Sequence, residues 1–391
     1  MIMTIERIFF DNASTTRVDD RVFEYMRPYF KKKYGNPSSL HDFGESAKKA
    51  LDKAREQVSG LIGAGEEQIY FTSCGTESNN FALCGLARAY KDKGNHIISS
   101  SIEHLSIINP LKEFGKEGWK VSLVPVDQYG FVSPENIKKE IRKDTVLISI
   151  IHANNEVGTI QKIKEISNIA KENNILFHSD GAAAAGIIPV DVNKLGVDAY
   201  SFTSQQIYGP KGAAALYVKK GVRIKPLLLG GIQEGGRRAG TENIPAIAGF
   251  GKACEIAGNE MDKNVKYISK LRDNLIKGIN DKIKNVKLNG HPTERTPGNV
   301  HMSFEFIEGE SILLMLNLEG IAAASGSSCT SQALKSSHVL LAMGLSPTMA
   351  QGSILFSLGK YNTQKEVERV LEVLPPIIDR LRKMSPLYKG Q

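Results

Sequence analysis

Cys329 is a side chain whose type and setting could do chemistry in this 391-residue chain. It stands in Ala324-Ser325-Gly326-Ser327-Ser328-Cys329-Thr330-Ser331, where glycine and serines give a segment able to swing a thiol out of the body. A thiolate is both a nucleophile and a metal ligand, so this side chain could do either kind of chemistry. Three other cysteines, Cys74, Cys84 and Cys254, show no CxxC pair or disulfide-framework spacing, which fits a reducing compartment. A second group of candidates sits where β-rich runs end. Gly75 and Thr76 follow one such run and open a helix, so backbone N–H groups and the Thr76 hydroxyl can cradle a phosphate there. Asp180 ends another run, and His104 follows a third after Ser101-Ile102-Glu103. Taken singly, each also serves a plainer role, Thr76 and Asp180 as helix caps, His104 as a satisfied histidine and Cys329 as an inert remnant.

The elements that must position these groups form an alternating pattern. Short β-rich runs fall at 68–72, 96–100, 120–125, 146–152, 175–179, 199–203 and 213–218, with helical stretches such as 78–90, 134–142 and 163–173 among them. That alternation predicts an α/β fold, a mostly parallel sheet with helices on both faces. Ligands of such sheets sit in the crevice beyond the strand ends. After Asn243 the pattern changes to a long helix over 245–284, strands over 299–306 and 353–358, and helices over 310–319 and 363–382. We read residues 15–260 as a large domain, and residues 1–14 with 261–391 as a smaller α+β domain carrying the Cys329 loop.

Composition bounds the function. Hydrophobic residues at 41% and charged residues at 24% are ordinary for a globular protein, and no apolar run is long enough to span a membrane. No secretion signal is visible at the N-terminus, so the expectation is a cytoplasmic protein without a membrane partner. A net charge of +8 is spread along helices apart from Lys31–Lys33, and few aromatics are available for stacking, so nucleic acid is not an expected partner.

Several ordered blocks carry a specific resemblance. Phe10-Asp11-Asn12-Ala13-Ser14-Thr15-Thr16, Gly35-Asn36-Pro37-Ser38-Ser39-Leu40-His41, Phe71-Thr72-Ser73-Cys74-Gly75-Thr76-Glu77-Ser78-Asn79-Asn80, Asn154-Asn155-Glu156-Val157-Gly158-Thr159-Ile160-Gln161, Tyr208-Gly209-Pro210-Lys211-Gly212 and Arg238-Ala239-Gly240-Thr241-Glu242-Asn243 resemble the pyridoxal-phosphate cysteine desulfurases, class V aminotransferase-like proteins that feed sulfur to iron–sulfur cluster assembly. The resemblance spans nearly the whole chain. It implies the fold type I pyridoxal-phosphate-dependent transferase fold and a homodimer. It further implies that Gly75, Thr76 and Thr203, with Thr241 of the other subunit, bind the cofactor phosphate. Asp180 would pair with the ring nitrogen and keep the ring an electron sink, His104 would stack on the ring and move protons, and Asn155 would bind the ring hydroxyl. Cys329 matches the sulfur-carrying cysteine, and Met384-Ser385-Pro386-Leu387-Tyr388 resembles the tail that contacts the cluster scaffold protein.

The departures from that family are as informative. Thr203-Ser204-Gln205-Gln206-Ile207-Tyr208-Gly209-Pro210-Lys211 puts Gln206 at the place of the cofactor-binding lysine and Gln205 at that of a phosphate-binding histidine. An amide cannot form an imine or take a Cα proton, because its lone pair is delocalised. Ala183 replaces a glutamine that donates to the ring hydroxyl, and Leu355, in Ser353-Ile354-Leu355-Phe356-Ser357, replaces the arginine that grips the substrate carboxylate. The expectation is pyridoxal phosphate not covalently bound and amino-acid chemistry impaired or lost. Cys329 then remains as sulfur carrier or as ligand of a 2Fe-2S cluster shared with the scaffold; an active desulfurase, making alanine and an enzyme persulfide from L-cysteine, is the alternative.

Overall fold

The computed structural model describes residues 7–325 and 336–388, so Cys329 lies outside the described residues. Its strands are β1 (Ile8–Phe9), β2 (Ile69–Thr72), β3 (His96–Ser100), β4 (Lys120–Val124), β5 (Thr145–Ser149), β6 (Leu176–Asp180), β7 (Ala199–Thr203), β8 (Ala214–Val218), β9 (Val286–Leu288), β10 (Asn299–Phe304), β11 (Ile321–Ala322) and β12 (Ser353–Ser357). Seven of them form the main sheet in the order β2-β8-β7-β6-β5-β3-β4. Pairs from β7 through β6, β5 and β3 to β4 are parallel, whereas β8 runs antiparallel to both β2 and β7. Every residue of β3, β5, β7 and β8 is buried, as expected for strands covered by helices on both faces.

This topology decides where chemistry can occur. Antiparallel β8 sits between β2 and β7, so β2 and β7 point the same way, together with β3, β5 and β6. The carboxyl ends of all five therefore share one edge, and the chain leaves them toward Gly75, His104, Asn155, Asp180 and Gln206. The helix Gly75–Ala89 starts at that edge and packs on β7 and β8.

One helix, Ile244–Lys282, belongs to two cores. Its first half packs on the helix Asp42–Leu61, and the approach is close: a Cβ at Gly251 would meet the Ala54 Cα at 2.6 Å. Its second half turns Leu271, Leu275 and Ile279 into a separate core with Val300, Met302 and Phe304 of β10 and Ile354 and Phe356 of β12. Position 261 thus falls inside a continuous helix, with no linker between the two cores. The second core is built on the antiparallel sheet β12-β10-β9, and β1 pairs with β11 beside it.

The two parts are also locked by charge. Asp19, buried ahead of the first helix, accepts from Lys360 Nζ at 2.5 Å, from the Tyr361 hydroxyl at 3.0 Å and from Arg21. Hydrogen bonds from Arg21, ahead of those from Lys360, hold its carboxyl far below the usual carboxylate range. The Lys360 ammonium also lies 4.4 Å from the Tyr208 ring centroid. Among the described residues, no helix is long and apolar enough to cross a membrane.

Candidate cofactor site at the strand ends

Local structure places each candidate. The helix Gly75–Ala89 is capped by Cys74, whose sulfur accepts from the Glu77 N–H at 3.4 Å, and Glu77 is held by Arg238 at 2.8 Å. A Cβ at Gly75 would lie 3.8 Å from the Thr203 Cβ and 4.0 Å from the Ala182 Cβ. The starts after β2, β6 and β7 therefore converge on one space at a helix N-terminus, with Thr76 exposed to it and Thr203 buried at its edge. That is the geometry of an anion cradle. Thr241 is not part of it in the same chain; it lines a separate surface cavity with Thr72, Ser73, Gly212 and Arg238.

Asp180 and His104 are joined by one hydrogen-bonded chain. Asn79 Nδ2 donates to the Asp180 carboxylate at 2.6 Å and approaches the Ser106 hydroxyl at 2.8 Å. Ser106 meets His104 Nδ1 through its hydroxyl at 2.7 Å and donates its N–H there at 3.1 Å. With Nδ1 accepting as a helix cap, a neutral His104 carries its proton on Nε2. Asp180 is also fixed by the Ala182 N–H at 3.0 Å. A buried carboxylate held this way is set to pair with a protonated ring nitrogen. Gly181 is required beside it, because a Cβ there would sit 2.0 Å from the Tyr200 ring.

Gln206 closes the strap after β7. Its Nε2 donates to the Ala13 carbonyl at 2.9 Å, and Gln205 reaches the Ser14 carbonyl at 3.4 Å. Thr16 donates to the Gln205 carbonyl at 2.8 Å and accepts from the Tyr208 N–H at 2.9 Å. Gln206, Asn155 and Ala183 line one cavity of about 100 Å³. Lys211 is exposed and takes no part in it. Leu355 is 2% exposed in β12, paired with His301 of β10. The donor set therefore fits the phosphate and ring of pyridoxal phosphate, but at position 206 it has no amine for a covalent link.

Two buried acids, Glu103 and Glu156, carry no marker of their own in the sequence. Glu103 is fully buried, accepts from the Ile151 N–H at 3.0 Å and from Ser100, and burial pushes its carboxyl to about 8. Glu156 is pushed to about 7 by burial, against a hydrogen bond from Ser337. His338 Nε2 meets the Glu103 carbonyl at 2.9 Å, so the chain after residue 336 is seated on the segments that carry His104 and Asn155. The only sequence signal was position, each glutamate standing beside a candidate residue.

Glu103 makes a testable mark on stability. Its folded pKa lies above the ordinary 4.5, so the folded chain holds the proton more tightly and stability falls as pH rises from about 4.5 toward 8. Glu103→Gln keeps the shape and removes the titration. Stability measured from about pH 5 to about pH 8 should fall less in the variant, by a few kcal/mol at most, and its Tm should drop correspondingly less. Parallel curves would mean that Glu103 stays charged in the fold.

Comparison with known proteins matches residues 8–370 to the model of the family described as aminotransferase class-V. The chain is 51% identical over 380 residues to "Cysteine desulfurase IscS" of Methanosarcina thermophila, covering 97% of this chain and 94% of that protein. It is also 51% identical over 381 residues to "Cysteine desulfurase IscS 1" of Archaeoglobus fulgidus, covering 97% and 99%. Among solved structures, a "NIFS-like protein" superimposes with a TM-score of 0.90 at 39% identity, over 96% of this chain and all of that one (100%). A NifS-like protein from Rickettsia africae gives 0.87 at 32% identity, over 96% and 100%.

Proposed function

The chain belongs to the aminotransferase class-V family, among its cysteine desulfurases, and from that premise we propose that it serves iron–sulfur cluster assembly with its amino-acid chemistry impaired or lost. In this reading it is a cytoplasmic homodimer that docks a scaffold protein and offers Cys329 as sulfur carrier or as ligand to a 2Fe-2S cluster. The observation that carries the reading is Gln206, whose amide is tied to Ala13 where a lysine amine would be needed. Leu355 supports it, since this position of β12 carries a buried apolar side chain and offers no charge to a substrate carboxylate.

Pyridoxal phosphate, when bound, supplies an electron-withdrawing ring. Gly75, Thr76 and Thr203 would hold its phosphate, Asp180 its ring nitrogen and Asn155 its hydroxyl. His104 would hold or move a proton at Nε2. This intact set, with the names of the relatives, favours the second reading, a working desulfurase that holds the cofactor without a covalent bond. An absorbance scan of the purified protein, with iron and sulfide analysis after anaerobic co-purification with its scaffold, decides between them. A colourless protein that yields iron and sulfide in the complex supports the first; alanine released from L-cysteine supports the second.

The homodimer has its own support. Leu229 and Ile232, 85% and 89% exposed, stand in the segment leading to Thr241, with Leu40 fully exposed elsewhere. Apolar side chains of that size call for a cover. Light scattering at micromolar concentration is expected to give twice the chain mass, and a monomer would remove the route by which Thr241 reaches a phosphate.

A further inference from the structure

At the amino ends of the parallel strands, on the edge of the sheet opposite the cofactor site, lies a cavity of about 450 Å³. Lys143 enters it from just ahead of β5, Asp198 from just ahead of β7, and Lys219 from just past β8, which runs antiparallel to β7. Two helices supply the remaining cations. Gly75–Ala89 ends at this edge, with Lys93 a few residues beyond it, and Ile163–Glu172 brings Lys171. No residue lining this cavity also lines the one beside Gln206.

Four lysines against one acid, Asp198, give the described lining residues a net charge of +3. Part of that charge has a structural explanation. Lys219 pairs with Asp198 at 3.2 Å, and the other carboxylate oxygen accepts from the Phe177 N–H at 3.0 Å. Lys171 stands in the last turn of its helix, where a cation offsets the helix dipole. Neither reason reaches Lys93 and Lys143. The acids beside them in the chain are spent elsewhere, Asp92 on Arg223 at 3.6 Å and Asp144 on Lys120 at 2.7 Å. The Lys93 ammonium lies 5.2 Å from the Tyr90 ring centroid, and the Arg223 guanidinium lies 4.7 Å from the same ring, so the lip of the cavity gathers further positive charge. A concave space lined by one sign of charge concentrates the opposite sign from solution.

We propose that this cavity binds a small polyanion built on a phosphate chain, the chemistry shared by nucleoside triphosphates and inorganic polyphosphates. Each lysine offers three donors and a point charge to phosphate oxygens. Polar groups around them are already used: Ser167 donates to the Gly196 carbonyl at 2.8 Å, and Asn173 Nδ2 to the Ile169 carbonyl at 2.8 Å. Recognition therefore rests on the lysines and selects by number of charges, so a phosphate chain is preferred to a single phosphate. The volume lies within the range of about 300–1,000 Å³ usual for small-molecule sites. All four lysines are exposed, so binding weakens as salt screens them.

Isothermal titration calorimetry on the purified full chain at low salt tests this with inorganic triphosphate, ATP and inorganic phosphate as probes. Triphosphate should bind roughly tenfold or more tightly than phosphate. Lys93→Gln combined with Lys143→Gln should weaken triphosphate binding by about tenfold, with thermal melts confirming that the variant folds. Two controls should leave it unchanged. Lys31→Gln with Lys32→Gln removes equal charge outside the cavity, and Thr76→Val alters the cofactor cradle. Equal affinity for ATP and triphosphate supports a site that reads the phosphate chain; ATP binding without triphosphate binding overturns it. No triphosphate binding, or affinity unaltered by the Lys93 and Lys143 substitutions, also overturns the proposal. So does an equal loss from the Lys31 and Lys32 pair, which means diffuse surface attraction, or a loss on Thr76→Val, which places the phosphates in the cradle.

Discussion

Borohydride treatment of the protein mixed with pyridoxal phosphate should leave no pyridoxyl group on residue 206, and Gln206→Lys should restore trapping there. The wild-type side chain is an amide committed to the Ala13 carbonyl at 2.9 Å, and its nitrogen lone pair is unavailable for bonding to an aldehyde. The substitution should suffice for attachment because the cradle is otherwise assembled: Asn79 fixes Asp180, Ser106 fixes His104, and Gly75 leaves room beside Thr203. Mass spectrometry of the reduced, digested protein reads the result directly. Turnover of L-cysteine should stay low in the same variant. Leu355 leaves the substrate carboxylate without the charge-assisted hydrogen bonds an arginine would give, worth about 1.5–3 kcal/mol, or roughly one to two orders of magnitude in rate. Desulfurase activity at the level of a lysine-bearing relative would show that the leucine matters little.

The parts of this molecule that announced themselves in the sequence were those with a strong local period. Apolar runs such as Ile97–Ile98 and Val146–Ile148 gave the main sheet, because strands buried on both faces need apolar residues at every position. The helix Asp42–Leu61 did not announce itself, since its buried face is largely small: Ala47, Ala50 and Ala54 let another helix come close at Gly251 rather than forming a bulky apolar stripe. The helix Ile244–Lys282 was legible as a helix but not as a bridge between two cores. Only tertiary packing separates Ala246–Ala257, which face one core, from Leu271–Ile279, which face the other.

Site geometry was legible in a different way. Thr76, His104, Asn155, Asp180 and Thr203 were found through motif order, and the sheet explains why that order works, since each follows or ends a strand whose carboxyl end meets the common edge. The buried polar groups had no such marker. Asn299, His301 and Ser303 alternate with Val300, Met302 and Phe304, which in sequence reads as an exposed strand face, yet all six are buried because the second part of the chain folds onto the first. Glu103 and Glu156 were masked by more reactive neighbours. Their burial depends on Ser337, His338 and the chain beyond them, far away in sequence.

In complex with an iron–sulfur scaffold protein, Cys329→Ser should shorten the life of the bound cluster while leaving docking unchanged. Cys329 stands in a Gly/Ser-rich segment, and serine for cysteine exchanges one atom, so the substitution removes the thiol at nearly constant side-chain size. The tail that resembles a scaffold-docking end lies elsewhere, where the Tyr388 ring meets Phe306 with centroids 5.6 Å apart. A free thiol is mostly protonated at neutral pH, but iron coordination drives it to the thiolate. Serine oxygen is a harder and generally weaker ligand for cluster iron. Clusters need four thiolates or their substitutes, so a scaffold supplying three would depend on this one. Among the described residues no group of three His, Cys, Asp or Glu side chains comes together to hold a metal, and in this scheme the scaffold contributes the remaining ligands. Visible absorption of the complex and its decay on exposure to air, recorded for wild type and Cys329→Ser, read cluster stability. Size-exclusion chromatography of the same samples reads docking. Faster decay with unchanged co-elution assigns Cys329 to the cluster; coincident decay traces leave it a persulfide carrier or an inert remnant.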